Sequence, residues 1–153
     1  MALAEGATYR HTNLIAHDWQ RLATFYERVF GCVRVPPERD QRGEWLERAS
    51  GVPRAHLRGT HLRLPGGGPD GPTLEIYAYS EVLPKPEPLP NRAGFGHLAF
   101  SVKDVDAALR VVVAEGGRTL GEVVSKEVPG VGTLRFTYAR DPEGNILELQ
   151  NWS

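Results

Sequence analysis

The chain repeats itself, and this internal repeat limits the possible folds more than any other feature of the sequence. Residues typical of a strand, a helix start and a helix stop recur 86 positions later: His11 and His97, Asp18 and Asp104, Gly31 and Gly117. A second offset, of 73 positions, aligns Glu75 with Glu148 in the last strand of each copy. The chain is therefore predicted to be two copies of a strand-helix-strand-strand-strand unit.

The first copy shows these elements in order. A strand is predicted over Thr8–Ala16, and a helix with an apolar stripe follows from the N-cap Asp18 to Gly31. Further strands are predicted at Cys32–Val35, Ala55–Leu64 and Thr73–Tyr79. Pro36-Pro37 ends the first of these, and a change of apolar phase at Gly59 indicates a bulge in the second. The polar segment up to Ser50, which contains Trp45, is predicted to be a mobile loop.

The second copy begins after a proline-rich connector. Four prolines between Leu83 and Asn91 favour an extended segment. Beyond it, a helix is predicted from Asp104 to Gly116-Gly117 and a turn over Asp141–Asn145. The predicted strands of this copy are Phe95–Val102, about Arg118–Ser125, Thr133–Ala139 and Ile146–Asn151. The prediction is one domain over 1–153, with module 1 about 7–82, module 2 about 93–152 and a linker about 83–92.

Composition excludes several classes of function. With 18 basic and 19 acidic residues the net charge is −1, which gives no basic surface for nucleic acid. The single cysteine, Cys32, forms no intrachain disulfide, so a reducing compartment is expected. No segment approaches the length of a membrane span, and Met1–Gly6 lacks a basic targeting region. We expect a cytoplasmic protein with neither nucleic acid nor membrane as a partner.

Four residues of the repeat are predicted to form a metal site. Packing of the copies about a pseudo-twofold axis would bring equivalent positions together: His11, His97, Glu75 and Glu148. Carboxylates among apolar neighbours are costly unless a cation balances them. Two imidazoles and two carboxylates suit one divalent ion, Zn, Ni, Co, Mn or Fe, with two positions free on an octahedral ion. His17, His56 and His61 have no counterpart in the repeat and are predicted to be surface or loop residues.

The motifs, taken in order, are similar to those of the vicinal oxygen chelate superfamily. This superfamily includes glyoxalase I, methylmalonyl-CoA epimerase, extradiol dioxygenases and bleomycin- or fosfomycin-resistance proteins. The resemblance covers nearly the whole chain and rests on His11-Thr12-Asn13, Phe25–Gly31, Leu74-Glu75-Ile76, Gly96–Val102 and Asp141–Asn145 with Glu148. It implies an α+β fold of two tandem βαβββ modules, whose sheets form a half-open curl around a metal, commonly in a homodimer.

The resemblance also implies a chemistry. His11, Glu75, His97 and Glu148 match all four ligand positions of glyoxalase I, whereas the epimerases usually have Gln at the second. The expected reaction is proton abstraction next to a carbonyl, on a small substrate chelated through vicinal oxygens. Glu148, or Glu75 from the other module, is the predicted catalytic base. The predicted substrate-binding residues are Tyr77, Tyr79 and Phe95. Together these imply a glyoxalase-like lyase or isomerase.

Three alternatives remain open. The first is an isomerase similar to methylmalonyl-CoA epimerase. Epimerases of this type carry a carboxylate just before a Gly-Val pair, whereas Ser50-Gly51-Val52 has none. An extradiol dioxygenase would use Fe(II) or Mn(II) held by two histidines and one glutamate, which leaves Glu75 as an unneeded ligand. A metal-free drug-binding or resistance protein would usually lack the four ligands. The sequence also leaves open whether one chain or a dimer builds the site.

Overall fold

The computed structural model describes residues 4–153, over which the chain is a mixed α+β protein. Met1–Leu3 lie outside the described residues. The predicted lack of a basic targeting region over Met1–Gly6 falls partly on them. The elements, in chain order, are β1 (His11–Ile15), α1 (Trp19–Phe30), β2 (Val33–Arg42), α2 (Glu44–Ser50), β3 (His56–Arg63), β4 (Thr73–Tyr79), β5 (Leu98–Ser101), α3 (Val105–Ala114), β6 (Arg118–Thr119), β7 (Val124–Val128), β8 (Gly132–Arg140) and β9 (Ile146–Trp152).

Each half of the chain forms its own sheet. The first has the strand order β1-β4-β3-β2, and the second has β5-β9-β8-β6 with β7 also on β8. In each sheet the first strand is parallel to the last, and Asn13 and Ala99 lie opposite Glu75 and Glu148 respectively. The offset of 86 relates Asn13 to Ala99, and the offset of 73 relates Glu75 to Glu148. The structure thus confirms the predicted α+β class with two βαβββ modules.

The chain divides into two compact units. The first holds the described residues up to Ala23 together with Gly31–Val82, and the second holds Thr24–Phe30 with Leu83–Ser153. The C-terminal part of α1 belongs to the second unit because the Phe30 ring stacks on Phe100 at 3.8 Å between centroids. In the same unit the Tyr26 hydroxyl donates a 2.9 Å hydrogen bond to Asp141 Oδ2. The predicted modules, about 7–82 and 93–152, differ from these units in one respect: they keep the whole of α1 in the first module.

Both long helices start as their sequences predict. Asp18 Oδ1 accepts from the Arg21 amide and Asp104 Oδ1 from the Ala107 amide, each at 3.0 Å. An aspartate at the N-cap satisfies a helix amide that has no backbone acceptor. Within residues 4–153, no helix combines the length and the apolar character needed to cross a membrane.

Two predictions for the segment after α1 are wrong. The strand expected to end at Pro36-Pro37 continues as β2 to Arg42. An edge strand tolerates proline because its outward amides have no strand to bond. The loop expected around Trp45 contains helix α2, which buries Leu46 against Ala55 and Leu57. A seven-residue helix with one buried side chain has too few apolar positions to show a helical period.

The bulge expected at Gly59 lies in the neighbouring strand. β3 pairs with β4 in unbroken register through Gly59, and the irregularity falls in β2, between Val35 and Arg39. The change of apolar phase arises because β3 is apolar on both faces. Leu57 packs beside α2 on one face, and Leu62 is buried on the other.

Strand boundaries also differ in the second half. The strand expected over Phe95–Val102 is only β5, Leu98–Ser101, and Phe95 lies outside it, fully exposed. Phe95 and His97 both precede β5, so they lie outside the strand predicted to contain them. The strand expected over about Arg118–Ser125 is two strands, because the amides of Leu120 and Gly121 both turn to the Tyr138 carbonyl.

Candidate active site

In the first unit, His11 lies beside Glu75. His11 begins β1, and Glu75 lies on the adjacent parallel strand β4. The Nε2 atom of His11 is 3.2 Å from Oε2 of Glu75. The glutamate side chain is only 11% exposed, whereas the histidine side chain is 45% exposed. A buried carboxylate thus meets an imidazole that remains open to solvent.

In the second unit, His97 and Glu148 form an equivalent pair. His97 immediately precedes β5, and Glu148 lies on the adjacent strand β9. The Nε2 atom of His97 is 3.1 Å from Oε2 of Glu148, whose side chain is 15% exposed. Two pairs with nearly the same geometry therefore occur at the positions that the repeat relates.

The donor atoms of each pair lie at a distance that a hydrogen-bonded ion pair and two ligands of one metal ion share. Nitrogen and oxygen ligands at about 2.1 Å from a metal, and at right angles, are about 3.0 Å apart. The two His–Glu separations, 3.2 and 3.1 Å, are close to this value. Over residues 4–153, no group of three or more His, Cys, Asp or Glu side chains is arranged to hold a metal. Each unit therefore presents two of the four predicted ligands.

Further polar side chains surround Glu75. Its Oε1 accepts a 3.1 Å hydrogen bond from the Tyr77 hydroxyl and lies 2.9 Å from His61 Nε2. The Asn13 amide donates to Oε2 at 3.4 Å. His61 is itself held by Thr73, whose Oγ1 lies 3.1 Å from Nδ1. The carboxylate is thus contacted on both oxygens, and its orientation is fixed.

The prediction that His61 is a surface or loop residue is wrong. His61 lies on β3 directly opposite Glu75, and Tyr138 lies on β8 directly opposite Glu148. The two residues therefore occupy equivalent places in the two sheets. Sequence offsets missed this relation because the turn between β3 and β4 is longer than the turn between β8 and β9. Counting outward from each turn would have found it.

Among the described residues 4–153, the second carboxylate, Glu148, has fewer polar partners than Glu75. The Tyr138 hydroxyl hydrogen-bonds to Glu148, and the Tyr138 ring lies 5.1 Å from the His97 ring between centroids. Phe136 packs edge-on against Tyr138 at 5.7 Å. Glu148 thus faces a tyrosine on the neighbouring strand where Glu75 faces a histidine.

Burial and charge fix the protonation of the groups around both carboxylates. Burial, reinforced by the charge of Glu75, raises the pKa of Tyr77. Burial and the charge of Glu148 raise the pKa of Tyr138 in the same way. Burial lowers the pKa of His61, although Glu75 opposes this shift. At neutral pH both phenols remain protonated donors, and His61 is mainly neutral.

The predicted substrate-binding residues lie in different surroundings. Tyr77 is 8% exposed, and its ring packs in a cluster with Leu46 and Leu57 while its hydroxyl contacts Glu75. Tyr79 packs against the same cluster. Phe95, in the second unit, is fully exposed. Their contact with substrate stays a prediction.

The chain belongs to the Glyoxalase/Bleomycin resistance protein/Dioxygenase superfamily, whose family profile matches residues 8–149. A 2-epi-5-epi-valiolone epimerase from Actinomyces sp. is 30% identical over 92% of this chain and 77% of its own length. The uncharacterized protein YaeR of Escherichia coli K12 is 28% identical over 91% of this chain and 92% of its own length.

Solved structures show the same fold. A glyoxalase family protein from Bacillus cereus superposes with a TM-score of 0.81 at 18% identity, covering 99% of both chains. The V278E mutant of glyoxalase I from Zea mays gives a TM-score of 0.65 at 19% identity, covering 93% of this chain and 45% of the maize chain. These likenesses confirm the glyoxalase fold predicted from the sequence.

Proposed function

We propose that this protein is a metal-dependent isomerase or lyase that removes a proton next to a carbonyl of a small, oxygen-rich substrate. The observation that carries the proposal is the pair of equivalent His–Glu contacts, one in each copy of the repeat. The isomerase alternative is favoured by the relative from Actinomyces, which is named as an epimerase.

The proposed ligands are His11, Glu75, His97 and Glu148, which would together hold one divalent ion, Zn, Ni, Co, Mn or Fe. When bound, such an ion supplies Lewis acidity that makes the proton next to a chelated carbonyl easier to remove. We propose that the protein acts as a homodimer. The four ligands then come either from one chain or from two.

The two carboxylates are suited to different tasks. Glu75 is restrained by His61 and Tyr77 on one oxygen and by His11 on the other, so it is suited to remain a fixed ligand. Within residues 4–153, Glu148 has only His97 and Tyr138 as polar side-chain partners, so it is freer to turn toward a substrate. A carboxylate within hydrogen-bond reach of the acidic carbon can take up the proton and return it. We therefore assign proton transfer to Glu148.

Metal stoichiometry tests the proposal directly. Purified protein reconstituted with Ni, Co, Zn or Mn is expected to hold about one ion per chain by plasma emission spectrometry. The double variant His97→Ala/Glu148→Ala should lose the ion, because one complete pair is removed. The matched control His17→Ala/Glu127→Ala removes the same residue types at exposed positions and should keep it. Equal metal content in both double variants would contradict the proposal.

Mixing two single variants shows which chains build the site. His11→Ala and His97→Ala each remove one ligand from a different unit. If two chains share each site, a mixed dimer regains one intact site, and metal binding is partly restored. If each chain builds its own site, mixing restores nothing.

Tyr77→Phe tests whether the hydroxyl on Glu75 supports metal binding. The phenyl ring keeps its packing beside Leu46 and Leu57, while the hydrogen bond to Oε1 is lost. Loss of a group that orients a ligand typically weakens metal binding by about tenfold or more. Competition with a chelator measures this change, and thermal unfolding checks that stability falls by only about 1 kcal/mol. Tyr79→Phe is the control, and equal affinities in the two variants would refute the role.

The substrate can be sought by deuterium exchange. Protein in D₂O is expected to exchange the acidic proton of its substrate, which proton NMR detects as loss of one signal. The substrate panel comprises hemithioacetals, acyl-CoA epimers and 2-epi-5-epi-valiolone. Catechols, assayed by oxygen uptake, test the dioxygenase alternative.

A further inference from the structure

One row of residues crosses the first sheet on the face that carries Glu75. Arg39, Gly59 and Tyr77 lie opposite one another on β2, β3 and β4. Residues opposite one another in antiparallel strands point to the same face. The outer strands of such a row are about 10 Å apart, and the middle residue normally separates their side chains. Because the middle residue is a glycine, the side chains of Arg39 and Tyr77 are neighbours.

The space above Gly59 is filled by Tyr77. A Cβ atom on Gly59 would lie 2.2 Å from Cδ1 of the Tyr77 ring. The guanidinium of Arg39 lies beside the Tyr77 hydroxyl, and its charge also acts on His61. The hydroxyl lies 2.8 Å from His61 Nε2. A cation, a phenol and an imidazole are thus grouped next to Glu75.

Arg39 has unused hydrogen-bonding capacity. Its Nη1 donates to the Pro37 carbonyl and the guanidinium also hydrogen-bonds to the Tyr77 hydroxyl, but within residues 4–153 it forms no ion pair with a carboxylate. By contrast Arg58, on the next strand, is paired with Asp40. A guanidinium has five N–H donors arranged to bind a carboxylate or phosphate through two parallel hydrogen bonds. Arg39 is half-buried, so an anion bound there would be partly shielded from water.

The equivalent place in the second sheet carries no cation. In the second sheet the corresponding row, two residues before Tyr138 on β8, is Val124, Phe136 and Gln150. This row carries no charge, although the strands and their pairing are equivalent. The arginine is therefore specific to the first copy, and the equivalent strands of the second copy pair without one.

We propose that Arg39 binds an oxyanion of the substrate, a carboxylate or a phosphate group, beside Glu75. This inference rests on the proposed function and specifies its substrate class: small carbonyl compounds that carry a negative charge. Arg39 contributes binding and orientation, and it takes no part in proton transfer.

Anion titration of the metal-free protein tests the inference without requiring turnover. Inorganic phosphate and malonate are added separately, and amide chemical shifts are followed by ¹⁵N NMR. We expect saturable shifts at Gly59 and Tyr77, and the anion that binds more tightly indicates whether phosphate or carboxylate is preferred. Arg39→Gln should weaken binding by about tenfold or more, and Arg39→Lys by less, because a charge-assisted hydrogen bond contributes more than a neutral one.

Arg42→Gln is the matched control. Arg42 is an exposed arginine on the same strand and on the opposite face, so its loss removes the same net charge. Absence of saturable shifts, or equal weakening in Arg39→Gln and Arg42→Gln, would overturn the inference.

Metal content measured on the same variants separates the two proposals. If Arg39→Gln keeps both the metal and its anion affinity, the Arg39 subsite is refuted and the proposed function is not. If wild-type protein binds the anion but no metal, the subsite stands and the proposed function is refuted.

Discussion

Glu148→Gln is expected to stop proton exchange while leaving the fold and the metal in place. The amide has nearly the shape of the carboxylate, and its carbonyl oxygen can still face His97. It cannot accept a proton at neutral pH, so the rate of deuterium incorporation should fall by about 100-fold or more. The measurement is the exchange rate of the substrate found in the panel, at saturating metal.

Glu127→Gln serves as the control for this change. Glu127 is an exposed glutamate of the same unit, and its substitution should leave the exchange rate unchanged. Circular dichroism and metal analysis confirm that both variants are folded and loaded. An active Glu148→Gln protein would refute the assignment of proton transfer to this residue.

Gly59→Ala is expected to produce the largest loss of stability of any change described for this protein. The added methyl group would lie 2.1 Å from the Ile76 carbonyl oxygen and 2.9 Å from the Tyr77 Cα atom. Both are backbone atoms of the central strand β4, so β3 and β4 would have to separate. Overpacking of this kind costs about 3 kcal/mol or more. Urea-induced unfolding measures the loss.

Gly121→Ala is the control for Gly59→Ala. A methyl group there would meet only the Thr137 hydroxyl, at 4.0 Å, and the free energy of unfolding should change by about 0.5 kcal/mol or less. If Gly59→Ala folds with wild-type stability, then β3 and β4 do not approach as closely as the structure shows. Such a result would also remove the steric reason for the contact between Arg39 and Tyr77.

Local features of the fold followed from the sequence because they depend on neighbours along the chain. An aspartate starts each long helix, and a three-to-four-residue apolar spacing follows it. Strand alternation placed β4 and β9 within one residue of their observed ends. The short helix α2 and the long strand β2 were missed, since one buried leucine and an edge position leave little trace in the sequence.

The histidine and the glutamate of each candidate site could also be predicted from the sequence. The offsets of 86 and 73 paired His11 with His97 and Glu75 with Glu148. The structure then placed each histidine about 3 Å from the glutamate of its own unit. The repeat found these residues because duplication keeps equivalent positions in register along the chain.

The sequence by itself determined the duplicated α+β architecture, the family and the four candidate ligands, but not their division into two His–Glu pairs. Only the tertiary structure showed that His61 and Tyr138 face the two glutamates and that Arg39 reaches Tyr77 across Gly59. These contacts join residues on different strands, and their register depends on turn lengths and on a bulge that no local pattern reveals. A repeat preserves positions along each copy, whereas neighbours across a sheet are set by how the strands pair.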